Sequence, residues 1–203
     1  MPHMDPLPFD SVAEDIQERF NHYRETRGFT PNSIQTMARR PDIVRAFMQL
    51  NQAVLYEGTV PEETKMLVSL IASQAAGCRY CQAHMANLSK IYKASEEKIS
   101  RVWEFETADC FSDAERAALR LAYKGALAPA QATQEDFDEV FRHFDEGQVV
   151  EIVASVALFG FLNRWNDTMA TEIEELPAGV AQDTLGESFG WEAGKHSGRG
   201  AQE

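Results

Sequence analysis

The segment DEGQVVEIVASVALFGFL, residues 145–162, decides the class of fold. Its first four residues have capping-box spacing: the Asp145 carboxylate can accept an orphan amide of a first helical turn, and Gln148 can reach back to the cap. The run behind the box is apolar on nearly every side, as a helix at the centre of a bundle must be. Its many β-branched residues would also suit a buried strand. Residues 149–162 are too many for a strand of roughly 4–8 residues, however, and the cap is a helical one, so a helix is expected that continues through Trp165 to about Ile173.

Helical punctuation recurs on both sides of this segment. Val12, Ile16, Phe20 and Tyr23 repeat every three to four residues after a possible cap at Asp10 or Ser11, and Gly28 suits the end of that helix. Pro31 and Pro41 restart the chain twice, and Ile43 to Leu55 carries one apolar stripe that stops at Gly58. Thr59 to Glu62 and Ser112 to Glu115 also have capping-box spacing, and each precedes an Ala- and Leu-rich helix. Ser95 and Thr133 open shorter ones. From Pro177 onward the chain turns Gly-rich and polar, and Phe189 and Trp191 give it something to bury, which predicts an extended arm. The expected organisation is a lead-in at 1–10, one helical domain at 11–176 and a C-terminal arm at 177–203, with no strand.

Composition narrows the function. The chain of 203 residues is 44% hydrophobic and 25% charged, an ordinary soluble balance, and its net charge of −13 repels phosphate backbones and anionic lipids. Nucleic acid and membrane surfaces are therefore not expected partners. The N-terminal ten residues contain three prolines and no apolar run, and residues 149–162 include Glu151 and fall short of a bilayer span of about 20 residues. A cytoplasmic location is expected. Three cysteines is an odd number, which suits a reversible couple in a reducing compartment better than a secreted disulfide framework.

That couple is found in Gly77-Cys78-Arg79-Tyr80-Cys81-Gln82-Ala83-His84. Two cysteines separated by two residues can close a disulfide within a helical turn, and His84 lies one further turn along, near enough to take a proton from Cys81. Gly77 ends the preceding helix, so both sulfurs fall in the first turns of the next, where outward-pointing amides favour thiolate. A thiolate that attacks a peroxide O–O bond becomes a sulfenic acid, and a neighbouring thiol condenses with it to a disulfide. A zinc site would need a second Cys or His pair at ligand spacing, but His3, His22, His143 and His196 are scattered. Haem attachment would need a histidine at Gln82. No metal or cofactor is expected.

The segments PEETKMLVSLIASQAAGCRYCQAHMANLSKI (61–91), FSDAERAALRLAY (111–123) and FLNRWND (161–167) resemble the alkylhydroperoxidase AhpD-like and carboxymuconolactone decarboxylase superfamily, in its peroxidase-related branch. The resemblance implies an all-α, multihelical and usually homo-oligomeric fold. It also implies a thiol-dependent hydroperoxidase in which Cys81 attacks peroxide, Cys78 resolves and His84 accepts the proton. A dithiol, lipoylated or thioredoxin-like partner would return the reducing equivalents.

Two positions depart from the family's pattern. Its histidine usually lies four residues after the second cysteine, where this chain has Met85, and its relay glutamate lies where this chain has Met66. Glu62 or Glu63, one turn earlier, could substitute through a water. Asn163, Arg164 and Asp167 form a polar cluster at the end of the central helix, with Arg164 and Asp167 at ion-pair spacing, and they either support structure or line the thiol pocket. Tyr80 could donate a hydrogen bond to peroxide or fill an interface. The competing functions are a lyase of the decarboxylase type, which leaves the cysteines unexplained, and a non-enzymatic redox-sensing oligomer.

Overall fold

The computed structural model describes residues 2–198. Among them are ten α-helices and no strand: α1 (Glu14–Arg27), α2 (Asn32–Met37), α3 (Pro41–Leu55), α4 (Glu62–Ala75), α5 (Arg79–Ile91), α6 (Glu96–Ser100), α7 (Asp113–Ala126), α8 (Gln134–Val140), α9 (Glu146–Met169) and α10 (Glu175–Phe189). α4 lies at the centre, against α5, α7 and α9, and α9 also packs on α3, α5 and α7. The all-α reading from residues 145–162 is therefore the observed one. By length (24 residues) and mean hydropathy (1.2), α9 falls in the range of a membrane span. It is not the central helix that its apolar run suggests: Ile152, Leu158 and Phe159 face the bundle while Val150, Val153 and Phe161 are exposed, and α4 takes the centre. The helix stops at Met169, short of Ile173, with Ala170 turned left-handed (φ 48°).

The caps at Ser112 and Asp145 form as their spacing predicts. Ser112 Oγ accepts the Glu115 N–H and Glu115 accepts the Ser112 N–H, and Asp145 and Gln148 exchange the same pair of bonds. A third box joins Thr133 and Asp136. Because Ser112 satisfies a donor that would otherwise be orphaned, Ser112→Ala is expected to cost about 1 kcal/mol in urea unfolding, with an unchanged m-value.

Thr59 behaves differently. α4 starts without a side-chain cap, and the Thr59 and Val60 N–H groups donate to the Glu151 carboxylate of α9 at 2.9 and 3.1 Å. This carboxylate also meets Lys65 Nζ at 2.7 Å, and Lys65 is 1% exposed. A buried ammonium on α4 thus recruits the acid that interrupts the apolar run of α9, and the loop wraps around that acid instead of capping its own helix. Gly58, at φ 93°, makes the close approach possible, since a Cβ there would run into the Glu151 carboxylate.

The expected extended arm is mostly helix. α10 packs against α5 and α6, burying Ala181, Thr184 and Leu185. Its glycines cost roughly 1 kcal/mol each in helix propensity, and tertiary burial outweighs that cost. Beyond α10 the chain folds back, with Trp191 and His196 buried. Residues 199–203 of the predicted arm lie outside the described residues.

Candidate active site

α4 ends at a tight turn in which Gly77 takes φ 75°, and the Cys78 N–H then donates to Ser73 O at 3.2 Å. That turn makes Cys78 the N-cap of α5 and places Cys81 in its first turn, as the sequence predicts. Both are free thiols, 0% and 2% exposed. They differ in acidity. The Cys81 thiol donates to the Cys78 sulfur and, with the Cys81 and Tyr80 amides, holds Cys78 below its ordinary value despite burial and the nearby Asp167 charge. Burial, and then the Cys78 sulfur, push Cys81 well up, opposed by a 3.5 Å hydrogen bond from Asn166 Nδ2 of α9. Cys78 is therefore the more acidic of the two thiols, and the helix-terminal amides act on it rather than on Cys81.

His84 Nε2 lies 2.7 Å from Glu174 Oε2, at the residue that caps α10. The same carboxylate accepts the Asn32 N–H and lies 3.2 Å from the Tyr80 hydroxyl. The Tyr80 ring stacks on the His84 imidazole with centroids 4.2 Å apart, and Phe29 meets the imidazole edge-on at 5.4 Å. Burial and the Glu174 charge push the Tyr80 phenol well up, so it stays a protonated donor. With Nε2 hydrogen-bonded to the carboxylate, His84 keeps Nδ1 as its free nitrogen. Tyr80 thus positions the His84–Glu174 pair.

Cys81, His84, Tyr80 and Asn166 share the wall of one cavity of about 40 Å³, whose remaining lining includes Phe47, Leu55, Phe159 and Leu162. Cys78 lies outside this wall, behind Cys81.

Other predicted positions lie elsewhere. Glu63 Oε1 accepts from Lys98 Nζ at 2.9 Å, and Glu62 lines a separate surface cavity with Arg19, His22 and Tyr56. Neither replaces the relay acid, because α4 turns its first residues toward α6 and α1 while Met66 fills the core. Arg164 does not pair with Asp167: it donates to Gly160 O, one turn back on α9, while Asp167 pairs with Lys195 at 2.9 Å. Asn163 is buried beside Asp167 and Arg164, in a cavity outside the Cys81 pocket. Three contributors were not anticipated: Glu174, Asn166 and Ser33, which donates its N–H to the Tyr80 hydroxyl at 3.2 Å.

Residues 41–124 match the model of the carboxymuconolactone decarboxylase family. The chain is similar to the debrominase Bmp8, with 35% identity and a TM-score of 0.82 over 89% of this chain and 96% of that one. The chain belongs to the carboxymuconolactone decarboxylase family. A second Bmp8 structure, a cysteine-to-alanine variant in complex with 2,3,4-tribromopyrrole, superposes with a TM-score of 0.83 at 34% identity over 89% of this chain and 96% of that one. An AhpD-core, peroxidase-related protein from Ralstonia eutropha JMP134 shares 25% identity and a TM-score of 0.79 over 87% of this chain and 94% of that one. The uncharacterized protein YdfG of Bacillus subtilis (strain 168) is 27% identical over 112 residues, 54% of this chain and 74% of its own. This family's fold hosts more than one chemistry, so the reaction has to be argued from the site.

Proposed function

We propose that the protein is a thiol-dependent hydroperoxidase working through Cys81 and Cys78. The observation that carries this reading is the division of labour between the sulfurs: Cys81 faces the cavity with His84, and Cys78 lies outside the cavity wall within hydrogen-bond reach of Cys81. When a hydroperoxide enters, His84 accepts the Cys81 proton, directly or through one water, and Glu174 stabilises the imidazolium. The Cys81 thiolate attacks the terminal peroxide oxygen, the O–O bond breaks, and the imidazolium proton leaves with the alcohol. Cys78 then gives up its proton and attacks the Cys81 sulfenic sulfur, the displaced hydroxide takes that proton and leaves as water, and the disulfide forms. A dithiol partner, lipoylated or thioredoxin-like, restores both thiols by exchange.

The cavity's size favours a peroxide. An apolar cavity near 150 Å³ holds benzene, whereas this one offers about 40 Å³, room for a peroxide group but not for an aromatic ring without side-chain movement. A second reading, reductive dehalogenation, draws support from the likeness to Bmp8 and from the Phe47, Phe159 and Leu162 walls. There the thiolate would take bromine from carbon, carbon would gain a proton, and Cys78 would expel bromide as the disulfide forms. The homo-oligomer remains a proposal, supported by the exposed Ile43, Leu50, Val153 and Phe161 side chains of α3 and α9.

The test supplies reduced protein and excess dithiol with tert-butyl hydroperoxide or with 2,3,4-tribromopyrrole, following peroxide loss and bromide release. Catalytic peroxide loss without bromide release is expected. Bromide release alone would transfer the assignment to the second reading. A single stoichiometric oxidation would leave a redox sensor, and failure of both substrates would reopen the lyase.

Glu174→Gln keeps the hydrogen bond to His84 but removes the charge that stabilises the imidazolium. The rate of Cys81 oxidation is expected to fall about tenfold to a hundredfold. An unchanged rate in stopped-flow oxidation would remove Glu174 from the mechanism.

A further inference from the structure

The side of the CxxC pair away from the cavity carries a second cluster. Cys78 Sγ, an Asp167 carboxylate oxygen and a ring nitrogen of His196 all lie within 4.8 Å of one another. They come from the cap of α5, the last turn of α9 and the turn after α10, so no spacing rule in the sequence joins them. His196 is 1% exposed, and its Nδ1 is 2.8 Å from Thr171 O, so Nδ1 carries the hydrogen and Nε2 presents its lone pair. Nε2 is buried with no hydrogen-bond partner and sits 3.6 Å from Asp167 Oδ1.

We infer that the reduced protein binds a borderline divalent transition-metal ion such as Zn²⁺ through Cys78, Asp167 and His196. A thiolate, a neutral imidazole and a carboxylate are the donor set that Zn²⁺ takes. The Nδ1–H bond to a backbone carbonyl is the outer contact that fixes a ligating imidazole. With bonds of about 2.0–2.3 Å, ligand atoms in a tetrahedral site lie roughly 3.3–3.8 Å apart, a separation that Asp167 and His196 already have. Asp167 is half exposed and provides the entry path, while Lys195 Nζ, 2.9 Å from Oδ1, is the cation that the metal would displace. The fourth position is left to water or to Cys81.

Cys78 cannot hold the metal and also join a disulfide, so metal binding and oxidation of the pair exclude each other. Only this exclusion rests on the peroxidase reading.

Cobalt titration of anaerobically reduced protein in a Cys110→Ser background tests the site without any peroxide. One equivalent should bind, with a thiolate-to-cobalt charge-transfer band and tetrahedral visible bands, and Zn²⁺ should displace it. Cys78→Ser should abolish the charge-transfer band. Asp167→Asn, at a half-exposed position where folding is not at stake, and His196→Gln should each weaken binding at least about tenfold. Protein oxidised with diamide to the disulfide should bind none. No saturable binding at one equivalent, or binding indifferent to Asp167→Asn and His196→Gln, overturns the inference and leaves the peroxidase reading intact. Binding without peroxide turnover would leave the metal site standing alone.

Discussion

Cys81→Ser is expected to lower peroxide turnover by at least about a thousandfold, since the variant loses the thiol that Cys81 brings to the cavity wall. Cys78→Ser should behave differently. Its Cys81 still meets peroxide, so the first oxidation proceeds, but the sulfenic acid has no neighbour with which to condense. One equivalent of peroxide should be consumed and turnover should stop, with Cys81 advancing to sulfinic acid under excess oxidant. Steady-state assays with dithiol, and mass spectrometry of the single variants, check both outcomes. Equal loss of the first oxidation in Cys78→Ser would show that Cys78 attacks, which its lowered pKa would permit.

Glu151→Ala is expected to be strongly destabilising. It leaves the Lys65 ammonium, 1% exposed, with the Glu57 carbonyl, and it removes the acceptor of the Thr59 and Val60 amides. Breaking a buried pair in this way costs about 3–5 kcal/mol, or on the order of 10 °C in Tm for a chain of this size. Lys65→Met combined with Glu151→Gln should lose less, because no buried charge is stranded and glutamine still accepts a loop amide. The pH dependence carries a defined sign. Burial pushes the Glu151 carboxyl up, but Lys65 and the two amides outweigh it and hold it below its ordinary 4.5. Its stabilisation is complete above that value and is lost as pH falls through the lowered folded value. The stability gap between wild type and Glu151→Ala should therefore narrow below about pH 4, and a constant gap in urea titrations would contradict the assignment.

The fold was legible where local signals agree. Ser112 and Asp145 cap their helices because each has its acceptor and its return donor within one turn, and the run behind Asp145 is too long for a strand, although its apolar residues also cover an exposed face. Thr59 misled because its amide found a better acceptor on α9, and a buried lysine on α4 explains why that acceptor is there. The Gly-rich stretch after Pro177 misled in the opposite direction, since burial on α5 decides for helix where propensity does not.

The site was half legible. Cys78, Cys81 and His84 share one helix and one spacing, so they can be read from the sequence together. Glu174 comes from 90 residues beyond His84, and Asn166 from 85 beyond Cys81. Only the packing of α9 and α10 on α5 brings them in, and no local pattern encodes that. Met66, at the family's relay position, was the available clue that an acid had to come from elsewhere. Asp167 belongs with Cys78 and His196 rather than with Arg164, because the returning tail brings Lys195 and His196 to it.

The most direct test of the central claim is peptide-resolved thiol mapping of the reduced protein, quenched within a single turnover after one equivalent of an organic hydroperoxide. A rapidly formed Cys78–Cys81 disulfide, with oxidation trapped first on Cys81 in the Cys78→Ser variant, is the predicted result. A pair that stays reduced on the timescale of free cysteine would contradict it.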